Sequence, residues 1–279
     1  MPSRAVQLEA QPPGPALNGN RRTLEGILTI LLFILAIGGW KAYVVFKGVP
    51  EYLLPPPERV LDSLVELIVS GEVFKHLFVT LSEVIVGFVI GSIGGILAGY
   101  LLGRWRLVEE IFSPYILFAQ TAPKIALIPL FVIWFGLGLT SKVVLIVSMT
   151  FFPVMVNTIL GLRSIDTNVR NLLRILKATA WQRFISVELF ASLPLIFAGL
   201  RLGMVQAVIG AIVAEWVSGK TGLGYLLVLG NMTYNSGLLI AAILLTTLLG
   251  IVTYMAVMAV ENRVLYWHES KAKIGGQDV

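Results

Sequence analysis

Six apolar bands, each long enough to form a membrane-spanning helix, dominate this sequence of 279 residues. A helix needs about 20 apolar residues to cross the hydrocarbon core of a bilayer. The bands cover residues 24–45, 77–102, 108–137, 143–162, 194–217 and 238–260. Charged residues make up only 13% of the chain, whereas soluble domains hold roughly 25%. The sequence therefore predicts an all-α integral membrane protein with six transmembrane helices.

The bands leave room for one folded unit and two short tails. We expect residues 1–23 to form a disordered cytosolic tail, residues 24–263 a single transmembrane domain, and residues 264–279 a second cytosolic tail. No small-residue cleavage site follows the first band, which favours a retained anchor over a signal peptide. The chain has no cysteine, so disulfides and cysteine metal sites are excluded.

The basic residues are distributed unevenly between the two sides of the predicted helices. One side holds the loop 163–193 and also Arg4, Arg21, Arg22, Arg104, Arg106, Arg263, Lys271 and Lys273. The other side holds Lys47, Arg59, Lys75, Lys142 and Lys220, diluted by acidic residues. The positive-inside rule then places the loop and both termini in the cytosol of a multi-pass plasma or inner membrane protein. This topology accounts for the net charge of +5, so we predict no nucleic-acid binding.

Glycine recurs every four residues along the second band. These glycines are Gly87, Gly91, Gly95, Gly99 and Gly103. In lipid, glycines at this spacing let two helix backbones approach closely, so we expect a tight helix–helix contact rather than a substrate site. Outside the membrane, residues 58–69 have helical apolar spacing and predict an amphipathic helix, which either packs on the bundle or lies among the headgroups.

Polar and ionisable residues inside the bands are candidates for a transport pathway or gate. The third band is interrupted by Pro114, Pro123 and Pro129, with Gln120 and Lys124 between them. Irregular backbone at membrane depth is tolerated where it is buried in protein or faces water, although a simple kink would look the same. Glu215 is the deepest carboxylate in a predicted helix. It is either a pathway or gate residue or a helix-end carboxylate near the headgroups.

No constellation of residues typical of an enzyme is present. The two histidines, His76 and His268, lie on opposite sides of the membrane in the predicted topology and cannot share a metal ion. Residues 218–221 (SGKT) resemble the end of a phosphate-binding loop, but the first glycine of that motif is missing at Ala214. We therefore predict that this chain binds no metal, no cofactor and no nucleotide.

The loop 163–193 is long, basic and helical in pattern, which indicates a docking surface for a soluble partner. Its residues 176–184 (LKATAWQRF), followed by 193–201 (LPLIFAGLR), resemble the coupling loop of ABC importer permeases. The similarity is to the nitrate, sulfonate and taurine branch of that family. Further similar segments are 53–57 (LLPPP), 128–136 (IPLFVIWFG), 210–215 (GAIVAE) and 222–225 (GLGY).

This resemblance implies a type I, MetI-like permease fold with a cytosolic coupling helix at about residues 172–184. It implies ATPase subunits that hold the ATP, an external substrate-binding protein, a homodimer of permeases and a lipid environment. The residues expected to contact the ATPase are Asn171, Leu172, Leu173, Arg174, Lys177, Ala178, Thr179, Trp181 and Gln182. The family pattern has Glu-Ala-Ala at residues 171–173 and glycine at Lys177, so this chain departs from it there.

The substrate is predicted less directly. Residues 122–124 (APK) and 151–153 (FFP) resemble permeases for riboflavin or the thiamine pyrimidine more than those for sulfonate, taurine or nitrate. We therefore expect a vitamin or vitamin precursor, with the sulfonate class as the alternative. A membrane enzyme and a non-transporting scaffold are more remote alternatives, because the former lacks titratable clusters and the latter has no need of interrupted helices.

Overall fold

The structure is a computed structural model that describes residues 19–266, including every side chain except those of residues 19–23, 25 and 218. The predicted tails therefore lie mostly outside the described residues, as does His268. Helix α1, Gly19–Lys47, belongs to a unit of its own, and its apolar side chains are mostly exposed. It begins five residues before the predicted band.

Residues 49–266 form a helical bundle. Its helices are α2 (Pro57–Val69), α3 (Glu72–Arg104), α4 (Arg106–Thr121), α5 (Ile128–Phe135), α6 (Leu139–Arg163), α7 (Thr167–Ile175), α8 (Ala180–Arg183), α9 (Leu189–Ser218), α10 (Leu223–Met232) and α11 (Ser236–Val264). We call the end that carries α7 and α8 the loop end, and the end that carries α2 and α10 the opposite end.

The all-α membrane architecture is confirmed. Among the described residues, five helices are long and apolar enough to cross a membrane. A sixth span is formed if α4 and the segment Lys124–Phe135, which meet at a bend of 76°, are counted together. The bend lies at residues 122–123, where Pro123 cannot donate a backbone hydrogen bond and also disfavours helical backbone at Ala122.

Helix α6 is the centre of the bundle, because α3 and α9 both pack closely against it. Helices α3 and α6 run parallel. Each of the five glycines spaced four residues apart along α3, which we call the glycine ladder, faces the α6 residue 59 positions later. The facing pairs are Gly87 with Ile146, Gly91 with Thr150, Gly95 with Val154, Gly99 with Thr158 and Gly103 with Leu162. Glycines of α9 also allow a close antiparallel approach to α6, as where Gly203 meets Thr150, which also faces Gly91 of α3.

A side chain at Gly99 would disrupt this contact. An added Cβ would lie 2.6 Å from the carbonyl oxygen of Met155 and 2.7 Å from Thr158 Cβ. We expect Gly99→Ala to lower stability by about 1–3 kcal/mol, the usual cost of overpacking, measured as a lower midpoint of thermal unfolding in detergent. Gly94→Ala on the same helix is the control, since its Cβ would meet Phe151 at an ordinary 3.4 Å. Equal midpoints for the two variants would contradict this packing.

Two features of the bundle differ from the sequence predictions. The second half of the loop 163–193 is not a loop. It belongs to a continuous apolar helical stretch that runs Ala180–Val217. A five-residue π-helical turn, Phe184–Glu188, joins α8 to α9 within that stretch. The sequence does not predict helix α10, because a largely apolar stretch of ten residues is too short to form a separate spanning band.

Candidate functional site

The segment predicted to couple to an ATPase, which we call the coupling segment, consists of α7, a short linker at residues 176–179, and α8. The Asp166 side chain accepts a hydrogen bond from the Asn168 amide at 2.6 Å and caps α7. Helix α8 begins with a capping box, in which the Thr179 and Gln182 side chains bind each other's backbone amides at 3.3 and 2.8 Å. These caps define where each short helix starts.

The expectation of one coupling helix over about residues 172–184 is wrong. The chain turns at Lys177, whose φ of 51° is in the left-handed region. Glycine adopts that conformation without the steric cost that a Cβ brings, which explains why glycine suits this position in the family pattern. In this chain Lys177 takes the left-handed conformation despite its Cβ.

An apolar surface is exposed on the coupling segment. Leu172, Ile175 and Leu176 are 53%, 77% and 66% exposed, and they lie on one face of α7 and its C-terminal turn. Trp181 of α8 is 68% exposed, with its ring 5.8 Å from that of Phe184. Large apolar side chains gathered in a polar segment indicate a protein contact. We call these four residues the apolar docking face.

Polar contacts attach the coupling segment and its neighbours to the bundle at the loop end. The Tyr100 hydroxyl of α3 donates to Glu188 at 2.9 Å, and Arg170 of α7 donates to the Leu162 carbonyl of α6. Arg163, at the end of α6, is paired with Glu109 of α4. The coupling segment is therefore connected directly to α6 through Arg170, and the turn that follows α8 is connected to α3 through Glu188.

A buried polar network at the opposite end holds the first turn of α10. The amides of Gly222, Leu223 and Gly224 donate to His76 Nδ1, Thr80 Oγ1 and Glu215 Oε2, at 3.0, 2.8 and 2.7 Å. These are backbone donors that a helix start leaves without intrahelical partners. The carboxylate of Glu215 also lies where the helix dipole favours negative charge.

The three side chains come from two different helices. His76 and Thr80 belong to α3 and Glu215 to α9, and the Thr80 hydroxyl donates to Glu215 Oε1 at 2.7 Å. The His76 ring also stacks on Tyr225 of α10, with the centroids 5.8 Å apart. All three side chains are buried, and Glu215 and Thr80 are fully so. The network therefore fixes α10 against both α3 and α9.

A buried ion pair lies beside this network. Lys142 Nζ of α6 donates to Glu83 Oε1 of α3 at 2.7 Å, and both residues are less than 10% exposed. Glu83 also interacts electrostatically with Glu215, so the pair and the network form one cluster. The sequence places Lys142 just before the fourth apolar band, whereas the structure places it inside α6 near the opposite end, with its side chain buried between helices.

Sequence reasoning missed His76, Thr80 and Lys142 as members of this cluster. From the sequence, His76 stands out only as a candidate metal ligand. The spacing of His76, Thr80 and Glu83 was an available signal, since positions i, i+4 and i+7 lie on one face of a helix. No local pattern points to Lys142, because its partner is 59 residues away.

The pathway candidates of the third band lie together at the bend. Lys124 Nζ donates to the Gln120 carbonyl at 2.8 Å and lies 4.9 Å from the centre of the Phe152 ring. The Gln120 side chain is exposed. Glu215 of α9, the third candidate, is fully buried against the start of α10 and has different neighbours. Arg201, another charge within a band, pairs with Glu261 at 2.6 Å.

Comparisons with known proteins agree on one family. Residues 91–266 match the family of binding-protein-dependent transport system inner membrane components. The chain is 32% identical to the riboflavin transport system permease protein RibX of Chloroflexus aurantiacus, over 88% of this chain and 91% of that one. It is 34% identical to the formylaminopyrimidine transport permease protein ThiX of Halalkalibacterium halodurans, over 90% and 100%.

Two further relatives extend the comparison. The putative aliphatic sulfonates transport permease protein SsuC of Bacillus subtilis is 32% identical, over 86% of this chain and 87% of that one. A chain of the MetNI methionine ABC transporter, solved in inward-facing conformations, has the same fold, with a TM-score of 0.58 and 20% identity. That match covers 66% of this chain and 92% of the other. The chain therefore belongs to the family of binding-protein-dependent transport system inner membrane components, and it is a permease subunit of an ABC importer.

Proposed function

We propose that this permease carries a vitamin or vitamin precursor, such as riboflavin or a thiamine pyrimidine, across the inner membrane. The transport role rests on the apolar docking face, for which an ATPase subunit is the expected partner. The choice of substrate class rests on the named relatives. ATP binding and hydrolysis then take place on that subunit. Movement of the docked segment passes to α3 and α6 through the contacts of Glu188 and Arg170.

The orientation of the protein in the membrane follows from the position of the apolar docking face. An ATPase that uses cellular ATP is cytosolic, so we infer that the loop end faces the cytosol. The arginines at this end, which include Arg104, Arg106 and Arg163, agree with the positive-inside rule. Both termini then lie in the cytosol, and the opposite end, with α2 and α10, faces an external substrate-binding protein.

We further propose that two copies of the chain enclose the pathway. Gln120 and Lys124 lie at the bend of the broken span, where polar groups need contact with water or protein. A second copy supplies the other wall of such a pathway. Glu215 then acts as a gate residue through its hold on α10 rather than by contact with the substrate.

Two relatives support a vitamin precursor as substrate, because their names specify riboflavin and formylaminopyrimidine. The sulfonate class is the second candidate. One relative of similar identity is named for aliphatic sulfonates, and the Lys124 ammonium forms no ion pair among the described residues. A cation at the bend suits an anionic substrate. The two classes differ in charge, which makes them easy to separate by experiment.

The experiment is purification of the tagged protein in mild detergent, followed by reconstitution with the ATPase and binding protein that accompany it. We expect a stoichiometric ATPase subunit and ATP-dependent uptake of labelled riboflavin or aminopyrimidine into vesicles. Uptake of alkanesulfonate alone would replace the vitamin proposal with the second candidate. Recovery of the protein without any ATPase would contradict the coupling role.

A further inference from the structure

A basic cleft of about 400 Å³ lies at the loop end, between the coupling segment and the transmembrane helices. Four arginines line it: Arg104 from the end of α3, Arg170 and Arg174 from α7, and Arg183 from α8. Trp105 forms part of its wall and is 53% exposed. Tryptophan is enriched at the level of lipid headgroups, which fits a cleft at the membrane surface.

The charge of this cleft is not balanced by the protein. Glu188 is the one carboxylate among its lining residues, and it already accepts the Tyr100 hydroxyl at 2.9 Å. Arg104 donates to the same Tyr100 oxygen at 3.0 Å, and Arg170 donates to a backbone carbonyl. In the described part of the chain, none of the four arginines forms an ion pair with a carboxylate. Four guanidinium groups around one cleft repel each other unless an anion lies between them.

The cleft is separate from the apolar docking face, although Arg174, one of the residues expected from the resemblance to contact the ATPase, lines the cleft. Helix α7 turns 100° per residue, so Arg170, Leu173 and Arg174 occupy one face and line the cleft. Leu172, Ile175 and Leu176 occupy the opposite face and do not line it. An ATPase docked on the apolar face therefore leaves the cleft for a different occupant, one small enough to enter between α7 and the bundle.

We propose that the cleft binds a phosphate group, either the headgroup of an anionic phospholipid or a soluble phosphate. Arginine binds phosphate through paired, charge-assisted hydrogen bonds, and basic pockets between transmembrane helices at the cytosolic surface suit lipid phosphates. A phosphate here contacts the end of α3 together with α7 and α8. It therefore fastens the coupling segment to the bundle and stabilises the arrangement seen in this structure.

The test uses the full-length protein, delipidated in neutral detergent, and the variant Arg174→Gln/Arg183→Gln. The control is Arg263→Gln, an exposed arginine at the same end of the bundle that does not line the cleft. One arm titrates sodium phosphate against sodium chloride of equal ionic strength by calorimetry. The other arm measures by native mass spectrometry how much phosphatidylglycerol or phosphatidylcholine stays bound after transfer from vesicles of each lipid.

We expect saturable binding in one arm, weakened about tenfold or more by the double substitution and unchanged by the control. Selective retention of phosphatidylglycerol assigns the site to a lipid headgroup, and binding of free phosphate assigns it to a soluble anion. The proposal is overturned if neither probe binds the unmodified protein, or if all three proteins bind alike. Because the replaced side chains are exposed, equal unfolding midpoints verify that the variants are folded.

Discussion

Replacing Trp181 with aspartate is expected to abolish ATP-driven transport while the protein stays inserted and folded. The indole is 68% exposed and is the largest side chain of the apolar docking face. Tryptophans at the centre of protein interfaces commonly contribute 2 kcal/mol or more, which corresponds to about a thirtyfold change in affinity. A carboxylate at the same place must also be desolvated without a partner. The measurement is ATPase recovery by affinity purification, followed by uptake into vesicles.

Ser186→Asp is the matched control for Trp181→Asp. It adds the same charge to an exposed position five residues further along, outside the apolar docking face. We expect this variant to retain its ATPase and its uptake. Ala178→Glu, which places a bulky charge in the linker between α7 and α8, is expected to behave like Trp181→Asp. Full uptake by Trp181→Asp would remove the docking assignment.

The sequence predicts those parts of the fold that depend on local patterns. The apolar bands predict the long helices, because a spanning helix must satisfy its backbone polar groups internally. The spacing of residues 58–69 predicts α2. The prolines of the third band predict an interrupted helix, although they do not show which proline marks the bend. Each of these predictions depends on residues that are neighbours along the chain, so one sequence is enough to make it.

Other parts of the structure depend on distant neighbours and could not be predicted in this way. The glycines of α3 indicate a close helix contact but do not identify α6 as the partner. Lys142 lies just before a predicted band, and the sequence does not show that its side chain is paired with Glu83 of another helix. The division of the coupling segment at Lys177 is also hidden, since a lysine there gives no turn signal. The missing information is tertiary in each case.

The regular spacing of the glycines raises the question of what fixes the register of α3 against α6. Every ladder glycine faces a residue 59 positions later, and Glu83 faces Lys142 with the same offset, one step before Gly87. A slip by four residues would replace one glycine contact with another along most of the ladder. The same slip would place Gly87 opposite Lys142 and leave both charges buried without partners. We infer that this ion pair specifies the register, a use of buried polar groups known from coiled coils.

Replacing Lys142 with methionine is therefore expected to destabilise the bundle by about 3–5 kcal/mol, the usual effect of removing one partner of a buried ion pair. The Glu83 carboxyl would then lie beside Glu215 with no cation between helices. The measurement is the midpoint of thermal unfolding in detergent, with ATPase recovery as a second readout.

The double variant Glu83→Gln/Lys142→Met separates the loss of a charge partner from the loss of packing. It removes both charges, so it is expected to recover most of the stability that Lys142→Met loses, although the register is then less strongly specified. Arg106→Met is the exposed control, because Arg106 pairs with Glu110 at 2.8 Å on the surface of α4. Surface pairs of this kind are screened by solvent, so no measurable change in the midpoint is expected. If Lys142→Met were as mild as Arg106→Met, the pair would not fix the register, and the glycine contacts alone would have to specify it.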